Sequence, residues 1–147
     1  MNPTSADQTI VGEITIKAPA ARIFTALTDT DQRLRWWGGE YFKGTHMESD
    51  LRPGGKWMMR GTAAGDKPFS VSGEYRVVEP PHVLAFTWVA SWPGNAAETL
   101  VRFDLKENAG VTLVRVTHSG LTSESARAHR GWPQILGWLQ AYAEGAA

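Results

Sequence analysis

The sequence predicts one α+β domain in which a curved antiparallel sheet wraps around a long C-terminal helix. Three observations predict this fold class. A strand-like segment is followed by two short helical segments, then by six strand-like segments separated by turn residues, and finally by an amphipathic helix. A chain of 147 residues suits a single core. We therefore expect one domain over residues 1–147, ordered from about residue 9.

The first three elements differ in the spacing of their apolar residues. Residues 10–16 place three isoleucines on one face of a strand with a period of two. Residues 19–28 begin with a proline and repeat apolar residues at helical spacing. Residues 28–37 begin with Asp and Thr residues that suit a helix cap, and Gly38 and Gly39 are expected to end this second helix.

The rest of the chain reads as a meander followed by a helix. The predicted strands are residues 46–51, 56–61, 69–78, 83–90, 99–106 and 111–118, with Gly and Pro between them. The last helix has an apolar stripe formed by Trp132, Ile135, Leu136, Leu139, Tyr142 and Ala143, with Trp138 at its edge. Gly131 and Pro133 predict a kink or a restart of this helix. The stripe must pack on the sheet.

Charge and cysteine content limit the classes of partner. Fifteen basic and fifteen acidic residues give a net charge of zero, so nucleic acid is not an expected partner. The absence of cysteine excludes disulfides and suits a reducing compartment, and we predict a cytoplasmic location. No signal peptide is recognisable and no apolar run reaches the roughly 20 residues that span a bilayer, so membrane insertion is not expected.

Five motifs carry a family resemblance. They are RWWGG, DLRPGGKW, GEYRVVEPPHVLAFTW, VTHSGL and GWPQILGWL, in that order. With the order of elements, they resemble the START-like helix-grip (SRPBCC) superfamily, and within it the Hsp90 ATPase activator homologue-like (AHSA1-like) family. The resemblance extends from about Ile10 to Ala143.

The resemblance implies a deep cavity between the sheet and the last helix. The superfamily includes lipid carriers, plant hormone-binding proteins and polyketide aromatase/cyclases, so it does not imply one activity. The eukaryotic co-chaperone that names the family resembles this chain only in its C-terminal domain. A chaperone role is therefore weakly supported.

The seven tryptophans are the main candidates for lining such a cavity. Most are explained by core packing, but Trp and Met side chains also suit a flat or flexible apolar guest. We expect Trp37 to anchor the second helix and Trp36 to face the cavity mouth. The candidate ligand-binding residues are Trp36, Trp57, Met59, Phe86, Trp88, His118 and Trp138.

His118 has two interpretations. On its strand it shares a face with Val114 and Val116, which places it at the end of the cavity. A hydrogen-bonded structural histidine is the first interpretation, and contact with a ligand or acid/base catalysis is the second.

Glu48 and Asp50 are candidate polar residues of the pocket. They share one strand face, where a buried carboxylate would be a general acid or base with a raised pKa. The competing interpretation is a pair of solvated edge charges, or an ion pair with a neighbouring Arg.

No cofactor is expected. The four histidines lack metal-site spacing, and DLRPGGKW predicts a tight turn because it lacks the Ser or Thr and the first Gly of a phosphate-binding loop. No metal or nucleotide is therefore assigned.

Three functions follow from the sequence. The first is a carrier or sensor that binds a small apolar or aromatic molecule in the cavity. The alternative is a cyclase-like or dehydratase-like enzyme that uses the same cavity, so whether the chain is an enzyme stays open. The third is an Hsp90 co-chaperone-like interaction module, associated with stress response. A homodimer is compatible with all three.

Overall fold

The structure, a computed structural model, describes residues 8–38, 42–91, 98–122 and 131–145. Its elements in chain order are β1 (Gln8–Ile16), α1 (Ala20–Thr28), α2 (Thr30–Trp36), β2 (Phe42–Ser49), β3 (Lys56–Ala63), β4 (Lys67–Glu79), β5 (Val83–Ala90), β6 (Thr99–Asn108), β7 (Val111–Leu121) and α3 (Trp132–Gly145). This order is the one predicted. None of the described helices is long and apolar enough to cross a bilayer.

The seven strands form one sheet in the order β1-β7-β6-β5-β4-β3-β2. Every neighbouring pair is antiparallel. β1 and β2 form the two edges, and the sheet is curved but does not close on itself. The helix-grip fold class predicted from the sequence is confirmed.

Alternation along β1 and β7 decides which residues enter the core. Ile16 in β1 and Val114 and Val116 in β7 are buried. Val11, on the other face of β1, is 59% exposed. The antiparallel register pairs Ile14 with Val114, so the apolar faces of the two strands coincide. The predicted inward face is therefore confirmed for both strands.

The two short helices occupy the connection between the sheet edges. Asp29 caps α2, because its carboxylate accepts a hydrogen bond from the Gln32 N–H at 3.0 Å. α2 ends at Trp36, and Gly38 adopts a φ of +111°, which favours glycine. Gly39 lies outside the described residues.

Trp37 anchors α2 in the core. Its ring lies 5.4 Å from that of Phe42 and 5.7 Å from that of Phe69, measured between centroids. These contacts join α2 to β2 and β4, as expected from the sequence.

α3 packs on the sheet through the predicted stripe. Trp132, Leu136, Leu139 and Ala143 are buried, and Ile135, Trp138 and Tyr142 pack partly buried against the core. The helix begins at Trp132, so Pro133 lies in the first turn, where proline is tolerated, and not at a kink. Three hydrogen bonds hold its far end: Arg22 Nε donates to the Ala143 carbonyl at 2.8 Å, Gln140 Nε2 to the Thr15 carbonyl at 3.0 Å, and the Lys17 N–H to Glu144 Oε2 at 2.9 Å.

The DLRPGGKW segment forms the predicted tight turn between β2 and β3. The Gly55 N–H donates to the Arg52 carbonyl at 2.8 Å, and Gly54 adopts a φ of +84°. The Gly54 N–H also donates to the Tyr75 carbonyl at 2.8 Å, which joins the turn to β4. β2 consequently ends at Ser49, before the 51 predicted.

Candidate functional site

A row of aromatic rings crosses the concave face of the sheet. The Trp57 ring lies 5.3 Å from Phe86 and 5.7 Å from Trp88, and Phe86 lies 6.3 Å from Phe103. Trp132 of α3 meets Phe103 edge-on at 5.9 Å. The row therefore connects β3, β5 and β6 to the last helix, and such tilted and edge-on pairs contribute beyond their buried area.

The structure brings three of the candidate ligand-binding residues, Trp57, Phe86 and Trp88, directly together. Met59 is fully buried two residues along β3 from Trp57. Trp138 packs against the core from α3 with part of its surface exposed.

Trp36 lies on α2. It is 6% exposed, and its Nε1 donates to the Ala26 carbonyl at 2.7 Å. That hydrogen bond ties α2 to α1.

His118 belongs to a buried hydrogen-bonded chain. Trp132 Nε1–H donates to His118 Nδ1 at 3.2 Å, so Nδ1 carries no proton. We assign the neutral ring its proton on Nε2, which donates to Thr99 Oγ1 at 2.8 Å, and Thr99 in turn donates to the Trp88 carbonyl at 3.2 Å. This geometry matches the structural interpretation of His118, and direct contact with a ligand stays a prediction.

His118→Leu is expected to lower the free energy of unfolding by about 1–3 kcal/mol, because the buried Trp132 N–H loses its acceptor. Urea denaturation measures the change. His82→Leu makes the same substitution at an exposed position and should change stability by no more than about 0.5 kcal/mol. Equal stability of the two variants would contradict the structural role of His118.

A polar cluster on the same side of the sheet was missed from the sequence. Arg33 of α2 is 5% exposed, its Nη1 donates to the Leu27 carbonyl at 3.1 Å, and its Cζ lies 5.5 Å from the centroid of the Trp36 ring. Tyr75 of β4 is near enough to Arg33 for the two groups to shift each other's pKa, and its hydroxyl is 2.7 Å from Ser49 Oγ. Arg33 lies three residues before Trp36, so the two side chains share one helix face, but this spacing does not tell whether the guanidinium is buried.

Burial shifts both titratable members of this cluster. Desolvation lowers the pKa of Arg33 from its usual value to about 10, and the electrostatic effect of Tyr75 partly opposes this shift. Desolvation raises the pKa of Tyr75. At neutral pH the guanidinium is therefore charged and the phenol protonated.

Glu48 and Asp50 do not enter the interior. Glu48 is hydrogen-bonded to His46 at 2.8 Å and its side chain is 71% exposed, while Asp50 pairs with Arg52 at 2.8 Å on the surface. The hydrogen bond from His46 lowers the pKa of Glu48, whereas the catalytic interpretation required a raised value. The geometry matches the competing interpretation of exposed charges, because Glu48 points to solvent from β2 and Asp50 lies in the turn that follows it. Contact of either side chain with a ligand stays a prediction. No group of three His, Asp or Glu side chains suited to a metal occurs within the described ranges.

The clefts lined by described residues include three to which α3 contributes no residue. The first, about 520 Å³, is formed where α2 meets the β2–β3 hairpin, and it is bordered by Trp36 and Trp37 and by the cations Arg35 and Lys43. The second, about 480 Å³, is bordered by Glu48, Trp57 and Gly73, and the third, about 400 Å³, by residues of β4, β5, β6 and β7. The first is the competing location for a ligand.

The curved sheet, the C-terminal helix and the aromatic row define a helix-grip α+β protein. Residues 17–144 match the family described as Activator of Hsp90 ATPase homolog 1-like protein. The chain belongs to this family. No curated protein matches the chain.

Solved structures of the same fold are numerous. Protein CV1439 from Chromobacterium violaceum is 23% identical with a TM-score of 0.80, over 92% of this chain and 97% of that one. CalU16 from Micromonospora echinospora is 26% identical with a TM-score of 0.68, over 93% and 76%. DynU16, from the dynemicin biosynthetic locus, is 25% identical with a TM-score of 0.72, over 92% and 47%.

Proposed function

We propose that this protein binds a small, flat apolar or aromatic molecule on the concave face, between the sheet and α3. The observation that carries the proposal is the contact of Trp57 with both Phe86 and Trp88. Aromatic and Met side chains with a few fixed polar groups are typical of small-molecule sites. Similarity to DynU16, a protein from a biosynthetic locus, supports a small organic ligand.

The burial of these aromatic rings limits how tightly a ligand can bind to them. Trp57, Phe86 and Trp88 are each 2–6% exposed, so a guest must displace neighbouring side chains to reach them. Burying about 300 Å² of ligand at roughly 25 cal/mol/Å² gives about 7 kcal/mol, from which displacement and lost motion subtract. Generic aromatic compounds should therefore bind with micromolar to millimolar Kd, on the order expected for such energies.

A carrier or sensor is favoured over an enzyme because the two carboxylates considered as acids lie on the surface. A cytoplasmic location, a homodimer and a chaperone partner stay predictions from the sequence. The cyclase-like alternative would require an acid or base beside the aromatic row. His118 is already hydrogen-bonded at both ring nitrogens, and the Tyr75 hydroxyl, whose ring lies beside Phe86, is hydrogen-bonded to Ser49.

Titration with 2-naphthol, a flat neutral probe, should quench or shift the intrinsic fluorescence. Trp57→Phe and Trp88→Phe should each reduce this change by about half or more, because both rings contact the guest. Trp37→Phe should preserve it, since Trp37 packs against Phe42 and Phe69. Each variant is first checked by thermal melting.

The Trp37→Phe variant distinguishes a ligand between the sheet and α3 from a ligand in the surface cleft at α2. If Trp37→Phe removes the signal and the other two variants retain it, the ligand occupies the surface cleft at α2, and the proposed site is wrong. If no naphthyl compound perturbs any tryptophan, binding of flat aromatics is wrong as well.

A further inference from the structure

Arg33 is a buried cation without an anionic partner among the described residues. None of the ion pairs there includes it, and its Nε has no hydrogen-bond partner. One carbonyl and the face of one indole ring are its polar contacts. An unpaired buried charge is costly, and the hydrogen bond of Arg33 to a carbonyl in the last turn of α1 offsets only part of that cost.

A second unsatisfied donor lies in the same part of the core. Trp57 Nε1 is buried with no hydrogen-bond partner. Tyr75 is near enough to Arg33 for each group to shift the pKa of the other. The Tyr75 ring lies 6.3 Å from Phe86, and Phe86 lies 5.3 Å from Trp57. Tyr75 and Phe86 therefore lie one after the other between Arg33 and Trp57, and both Arg33 and Trp57 have an N–H available for an acceptor.

We propose that Arg33 receives a carboxylate of the ligand, so that the guest is an aromatic acid rather than a neutral aromatic compound. This inference rests on the proposed function. A guanidinium binds a carboxylate through two parallel N–H donors, one of which can be the free Nε–H. The carboxylate supplies the missing counter-charge, while the aromatic row receives the ring.

The core chemistry disfavours a neutral polar guest in this position. A neutral amide offers one carbonyl acceptor and adds two donors, which would face a site that already holds unsatisfied donors. A carboxylate offers acceptors only. The positive charge of Arg33 and the unsatisfied N–H donors therefore both favour a carboxylate over an amide.

The test compares 2-naphthoate with 2-naphthamide, which have the same ring system and nearly the same shape. Isothermal titration at pH 7 should show the acid binding at least tenfold more tightly to the wild-type protein. In Arg33→Met, which removes the charge with little change in size, this ratio should fall close to one. Arg35→Met makes the same change on the exposed face of α2 and should keep the ratio.

Each outcome decides a separate point. Equal binding of acid and amide to the wild type overturns the carboxylate inference and leaves the proposed function standing. If neither the acid nor the amide binds, the carboxylate inference and the proposed function are both wrong. A ratio lost in Arg35→Met but kept in Arg33→Met assigns the acid to the surface cleft and overturns the role of Arg33. The wild-type ratio alone tests the inference if Arg33→Met does not fold.

Discussion

Leu139→Asp is expected to lower the free energy of unfolding by about 4 kcal/mol or more. Leu139 is fully buried in the centre of the α3 stripe, among the apolar side chains of the core. The substitution removes a leucine from a packed core and buries a charge or forces its protonation, and both effects destabilise.

Urea denaturation followed by tryptophan fluorescence measures this effect. Ala141→Asp is the matched control, because Ala141 lies two residues further along the same helix and is exposed. It should cost no more than about 1 kcal/mol, mostly from helix propensity. Similar stabilities of the two variants would mean that α3 does not bury the face assigned to it.

The fold could be predicted because its elements have clear periodicity. The period of two in β1 and β7 selects Ile16 and Val116 for the core, and the helical stripe containing Leu139 places α3 on the sheet. These patterns are local in the sequence, and the side-chain direction follows from backbone geometry. The ends of strands were predicted less accurately. β2 ends at Ser49 and not at residue 51, because beyond Ser49 hydrogen bonds within the turn replace those between the strands.

The candidate site was predicted only in its apolar part. Trp57, Phe86 and Trp88 could be assigned to the inner face by alternation, but nothing local distinguishes a buried arginine such as Arg33 from a solvated one. Its burial depends on α2 packing across the sheet, which brings it near Tyr75, 42 positions away in the sequence. The two interpretations of Glu48 stayed open in the sequence for the same reason, because strand parity fixes a shared face but not which face is covered.

Gly73 explains how two tryptophans meet on this face. It pairs with Trp57 of β3 and lies in β4 between residues that pair with Val89 and Phe86 of β5. A Cβ on Gly73 would overlap the carbonyl oxygen of Thr87 and lie 2.8 Å from Trp57 Nε1. The absent side chain therefore lets Trp57 lie over β4 toward Trp88, 5.7 Å away between ring centroids.

Gly73→Ala is accordingly expected to destabilise the protein by about 2–4 kcal/mol, because the added methyl must displace both the β5 backbone and the Trp57 ring. Thermal and urea melts give the stability, and the near-ultraviolet circular dichroism of the coupled indoles should weaken as Trp57 and Trp88 separate. Gly137→Ala, in α3, adds the same methyl group where no atom lies within 4 Å, and it should be neutral or stabilising by up to about 1 kcal/mol. A Gly73→Ala variant as stable as Gly137→Ala, with unchanged dichroism, would show that Trp57 does not lie over β4, and the aromatic row proposed to bind the ligand would lose its central contact.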